Sequence, residues 1–124
     1  MATSYEEEFE PLRGLYLEDS WVLDIVPTEG SVAFELDAVL TPEHPEYRGP
    51  RAGEQHDYRH AQLFVTGDRV TVELSRLPAA VDASGGADRG HIDTWVVDER
   101  GTSKLTGDWG SADVSNARVR LELL

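Results

Sequence analysis

Apolar and polar side chains alternate with a period of two along much of the chain, and no window sustains the three- and four-residue apolar spacing of a helix over ten positions. Within 31–40, Val32, Phe34, Leu36, Ala38 and Leu40 fall on one side, while Ala33, Glu35, Asp37 and Val39 fall on the other. That pattern predicts a strand with one face in a core. Val70, Val72 and Leu74 alternate in the same way with Thr71, Glu73 and Ser75, as do Val119, Leu121 and Leu123 with Arg118, Arg120 and Glu122. The stretches 20–26, 62–66 and 92–97 carry apolar residues on both faces, which predicts central strands covered by a second layer or a loop. Short strands at 15–18 and 103–107 complete a set of about eight. The core is expected from Trp21, Leu23, Ile25, Val32, Phe34, Leu36, Leu63, Val65, Val70, Val72, Leu74, Ile92, Val96, Val119 and Leu121, with Trp95 beside them.

The connections read as hairpins. Pro27-Thr28-Glu29-Gly30 suits a four-residue turn, Gly67-Asp68 a two-residue primed turn, and Asp98-Glu99-Arg100-Gly101 a type I turn closed by a glycine bulge. Turn signals about every ten residues, with no crossover helix, predict an all-β fold: an antiparallel β-sandwich or flattened barrel. With 124 residues the chain is expected to form a single domain spanning 1–124, in which 1–12 is an acidic N-terminal arm.

Two segments interrupt the rhythm. One is the proline-rich loop 41–59, with Pro42, Pro45, Pro50, Gly49 and Gly53; the other is 77–90, with Ser84-Gly85-Gly86. Loops of this length in a small domain are functional or disordered. The first gathers His44, Tyr47, Glu54, His56, Asp57 and Tyr58, with His60 at its exit, which makes it the candidate binding surface. Its plain structural role would be a stiffened flap over an open end of the sandwich. Trp109, between Gly107-Asp108 and Gly110, is either a plug at the sheet edge or an exposed contact residue that would join the binding surface.

Charge narrows the partners. The chain has 24 acidic and 11 basic residues, a formal net charge of −13. Nucleic acid and anionic membrane surfaces would be repelled, and a basic protein would be attracted. The absence of cysteine excludes disulfides, thiolate nucleophiles and cysteine metal clusters. There is no apolar run of about 20 residues, and the N-terminus lacks the basic-then-apolar profile of a secretion signal. The expected location is the cytoplasm, and the expected state is a monomer or homodimer.

Catalytic chemistry is harder to assemble. His56 and His60 are four apart, but in an extended chain that spacing separates them by about 13 Å, too far to share an ion unless the loop folds back. Asp82, Asp88 and Asp93 with Gly85, Gly86 and Gly90 resemble a loose calcium loop, but the spacing matches neither the twelve-residue helix–loop–helix pattern nor a glycine-rich nonapeptide repeat. Ser84 lacks a nucleophile elbow, and no phosphate-cradling glycine loop is present. The expectation is no catalytic residue, no metal and no cofactor.

The runs Leu15-Tyr16-Leu17-Glu18-Asp19-Ser20-Trp21-Val22-Leu23, Leu40-Thr41-Pro42-Glu43-His44-Pro45-Glu46-Tyr47 and Gly107-Asp108-Trp109-Gly110 resemble a family of small uncharacterised bacterial proteins. That likeness implies no activity and carries over no catalytic residue. In size, acidity and hairpin-rich layout the chain is also similar to immunity proteins of bacterial toxin systems, which implies a basic toxin as partner. Three readings follow. The first is a non-enzymatic acidic protein that binds a basic partner. The second is a small-ligand or metal-assisted enzyme using His44, Glu54, His56 and His60. The third is an assembly module that pairs through edge strands. Convergence of the histidines on one pocket, or their dispersal, separates the first two.

Overall fold

The computed structural model describes residues 3–75, 80–81 and 87–124. Short elements occupy the N-terminus: strand β1 (Thr3–Ser4), helix α1 (Tyr5–Glu8) and two single 3-10 turns at Glu10–Leu12 and Leu17–Asp19. They are followed by strands β2 (Trp21–Thr28), β3 (Ser31–Leu40), β4 (Asp57–Thr66), β5 (Arg69–Leu74), β6 (Ala80–Val81) and β7 (Ala87–Asp88). The chain ends with β8 (Thr94–Val97), β9 (Thr102–Gly107), β10 (Gly110–Ser115) and β11 (Arg118–Leu123). Eight of these strands build two antiparallel sheets, in the orders β11-β4-β3-β2 and β8-β9-β10-β5. β1 adds two residues to the edge at β8, and β6 and β7 form a separate two-stranded ladder. The arrangement is an all-β sandwich, not a closed barrel. No helix among the described residues is long and apolar enough to cross a membrane.

Alternation decides what lies between the sheets. Val32, Phe34, Leu36 and Ala38 of β3 are fully buried, and so are Ala61, Leu63 and Val65, which face the same way on β4. Trp95, Leu105, Ala112 and Val114 belong to the same core cluster from the other sheet. The Trp109 ring stands edge-on to Phe34, with centroids 5.1 Å apart and planes 76° apart. This is the arrangement that the charge distribution of aromatic rings favours.

Several expectations about the core need correcting. Trp21 is exposed because the β2–β3 register shifts between Val22 and Asp24, and this bulge sends Val22 and Ile25 inward. Val96 is exposed because its neighbours Trp95 and Val97 face the core, and Leu74 is exposed at the end of edge strand β5. β2 is an edge strand, not a central one. Residues 15–18 form no strand: Leu15 makes a lone bridge to Leu40, and a 3-10 turn follows. Of the eight strands of the two main sheets, the one the periodicity missed is β10, whose sequence Gly-Ser-Ala-Asp-Val-Ser buries only Ala112 and Val114.

The turns divide similarly. The β2–β3 hairpin forms, but its ladder continues through Thr28 and Ser31, so the turn is two residues shorter than expected. Asp98 to Gly101 closes the β8–β9 hairpin, with the Gly101 N–H donating to the Asp98 carbonyl and the Asp98 carboxylate accepting from the N–H groups of Arg100 and Thr102. Gly67-Asp68 is not a hairpin turn: β4 pairs with β3 and β11, β5 pairs with β10, and these two residues carry the chain from one sheet to the other. A β-carbon at Gly67 would overlap the Ser115 carbonyl and the Val114 side chain, so the crossover requires glycine for space.

The N-terminal stretch is built into the fold rather than projecting as an arm. Tyr5 and Leu12 are buried, and Tyr5 and Phe9 pack on the Trp95 ring at 6.0 and 5.3 Å. The Tyr5 hydroxyl accepts the Leu17 N–H at 3.1 Å and lies 3.2 Å from a Glu18 carboxylate oxygen. Burial, reinforced by the nearby Glu18 charge, pushes this phenol well above its ordinary range. A protonated hydroxyl therefore clamps the 3-10 turn that leads into β2.

Candidate functional site

The long loop runs over residues 41–56, because β4 begins at Asp57. Its start is fixed by Thr41, whose N–H and hydroxyl both donate to the Gly14 carbonyl, at 2.8 and 2.9 Å. Gly14 has φ +85°, and a β-carbon there would lie 2.8 Å from the His44 backbone. Both conditions demand glycine. Its end is fixed by Asp57, which is buried: one carboxylate oxygen accepts the Arg48 N–H at 2.8 Å and the other the Arg59 Nε at 3.1 Å. Arg59 also donates through Nη2 to the Glu46 carbonyl at 3.0 Å. Burial raises the pKa of the Asp57 carboxyl, but bonds from the Arg48 and Gly49 N–H groups and the Arg59 guanidinium outweigh it, and the net displacement is downward.

The three candidate histidines do not converge. His44 accepts the Glu46 N–H on Nδ1 at 3.0 Å and lines an open depression with Pro11, Arg13 and Pro45. Burial lowers its pKa, which favours the neutral ring that such acceptance requires. His56 places Nε2 3.2 Å from Asp19 and meets Tyr58 edge-on, with ring centroids 5.8 Å apart. His60 lies on the outer face of its sheet, with Nε2 2.8 Å from Glu35. Glu54 is exposed in the loop, and Tyr47 is half-buried and packs against the core. Trp109, at 2% exposure, is a core plug and leaves the candidate binding surface. Among the described residues, no group of three or more histidine or acidic side chains could hold a metal ion. The calcium-like reading depends on Asp82, Gly85 and Gly86, which lie outside the described residues together with Ser84.

What the fold does bring together is a cleft of about 320 Å³ where the loop meets the 3-10 turn at Leu17–Asp19. Tyr47, His56 and Asp57 line it, as expected of the binding surface, alongside Tyr16, Asp19, Val39 and Pro42. Tyr16 and Asp19 were not singled out from the sequence. The available signal was the alternation of buried Leu15 and Leu17 around Tyr16, which turns the tyrosine outward.

The dispersal of the histidines has a direct consequence for metal content. Elemental analysis of the purified protein is expected to find no near-stoichiometric zinc, manganese or iron. Replacing His56 and His60 together is expected to change stability by less than about 1 kcal/mol, since both pairs are solvent-accessible. Release of an ion, or a large fall in melting temperature, would restore the metal reading.

The chain matches no protein-family model, no curated protein and no solved structure.

Proposed function

We propose that this chain is a non-enzymatic binding protein that engages a basic protein partner through the acidic surface around its long loop. The observation that carries the reading is the dispersal of His44, His56 and His60 to three separate surfaces, each ring already held by a protein group. An enzyme built on this loop would need those groups to face one reacting centre. The net charge of −13 supplies the attraction, and the exposed Glu43, Glu46 and Glu54 bring part of it to the loop. The similarity in size and charge to toxin immunity proteins makes a basic toxin the first kind of partner to test.

The experiment is affinity capture at low salt, followed by association kinetics with the recovered protein. Association is expected to slow steeply as ionic strength rises, because the screening length falls from about 30 Å at 0.01 M to about 8 Å at 0.15 M. Reversing Glu43, Glu46 and Glu54 together is expected to slow association by about tenfold or more at low salt. Reversing the exposed Glu73, Asp113 and Glu122, which stand on outer sheet faces, is expected to do less. Equal effects from the two sets would show a diffuse field and remove the loop from recognition.

A further inference from the structure

We propose that the cleft between the loop and the Leu17–Asp19 turn is a subsite for an arginine side chain of the basic partner. The inference rests on the binding reading above and assigns it a chemistry. Tyr16, 42% exposed, stands at the cleft, and Pro42, Tyr47 and His56 supply further flat surfaces. Val39 and Leu40 contribute buried apolar side chains to the lining. Such walls suit an aliphatic stem that ends in a planar, weakly hydrated cation.

Two carboxylates line the cleft, and they differ in availability. Asp57 is buried, and both its oxygens are occupied by Arg48 and Arg59. Asp19 has a side chain 48% exposed, and among the described residues its Oδ2 is engaged only by His56. Asp19 Oδ1 has no partner among the described residues and is open to a second donor. A guanidinium can reach a carboxylate with its fork of N–H groups while its face lies on a tyrosine, which an ammonium cannot do.

The cleft is also held in shape before anything binds. The Ser20 hydroxyl donates to the Tyr16 carbonyl at 2.8 Å and accepts the Val39 N–H at 2.8 Å, and the Tyr16 N–H donates to the Val39 carbonyl at 3.0 Å. The Tyr16 backbone is thus fixed to β3, and the Asp19 N–H donates to the Tyr16 carbonyl at 3.3 Å, so the backbone of this wall is ordered before anything binds.

The test is an NMR titration of the whole chain with N-acetyl-arginine amide, and with the corresponding lysine and citrulline compounds. Citrulline keeps the shape of arginine and loses its charge. Saturable shifts centred on Tyr16, Asp19, Tyr47 and His56 are expected with arginine, weaker ones with lysine and none with citrulline. Asp19→Asn is expected to weaken arginine binding by about tenfold and Tyr16→Ala by about threefold. Both variants should keep the wild-type spectrum elsewhere. Shifts scattered over the surface, or an equal response to citrulline, would overturn the proposal. A partner whose salt-steep association falls on reversal of Glu43, Glu46 and Glu54 but ignores Asp19→Asn would remove this subsite and leave the binding reading standing. Saturable arginine binding in the cleft, with no salt-dependent partner, would do the reverse.

Discussion

Replacing Phe34 by alanine is expected to cost about 3–5 kcal/mol of folding free energy, because the ring is fully buried and its removal leaves a void between the two sheets. Phe34 sits on β3, which pairs with both β2 and β4, and its ring meets Trp109 from the opposite side of the core. A large rigid indole cannot collapse into the space without leaving its own contacts. Domains of this size are stable by about 5–15 kcal/mol, so the substitution would remove a large share of the total. Urea titration of the variant measures the loss. Val26→Ala is the companion: Val26 lies on the same hairpin at 49% exposure, and its replacement is expected to cost about 0.5 kcal/mol or less. A Phe34→Ala loss below about 1 kcal/mol would mean that β3 presents its other face to the core.

Asp57→Asn is expected to destabilise the fold by about 2–3 kcal/mol at pH 7, since it replaces the charged acceptor that holds the Arg48 N–H and faces the Arg59 guanidinium. The folded carboxyl titrates below its ordinary value. Its contribution is therefore complete above the unfolded pKa of about 3.9 and disappears as pH falls through the lower folded value. Urea titrations from pH 7 down to pH 3 should show a constant gap between wild type and variant above about pH 5, and a narrowing gap below about pH 4. The loop should loosen in parallel, with tryptic cleavage at Arg48 and Arg51 accelerating in the variant. A gap independent of pH would show that packing, not charge, is what Asp57 contributes.

β3 was legible in the sequence because five alternate apolar residues stand against an opposite face that carries Glu35 and Asp37, which leaves one orientation that buries a continuous apolar row. β2 was legible as a strand, and Ile25 was placed correctly in the core, but Trp21 was misread as facing inward. A single bulge after Val22 shifts the alternation so that Val22 and Ile25, three positions apart, both point inward, and nothing in an alternation pattern marks a bulge. β10 stayed hidden because it contributes small residues: Ala112 and Val114 are buried from a run that otherwise reads as a turn. Gly67-Asp68 has the local chemistry of a hairpin, and its role as a crossover is set by Ser115, distant in sequence. The candidate surface followed the same logic. Proximity along the chain grouped His56 with His60, but the strand between them turns His60 to the outer face, while the cleft draws Tyr16 and Asp19 from the other side of the loop.

The pairing of β4 with β11 makes one of the central strands depend on a segment far along the sequence from it. Leu63 pairs with Leu121 and Val65 with Val119, so the outer edge of β4 has no partner until β11 docks. The β2–β3–β4 meander can assemble early from neighbouring residues, but closing its sheet requires long-range contacts, the kind that slow folding. During that interval β4 offers bare backbone N–H and C=O groups beside buried-type side chains, which is a template for pairing between molecules. A chain cut after Ser115 would keep that edge permanently. Its expected fate is aggregation during expression, even though every residue of the loop and the cleft is still present.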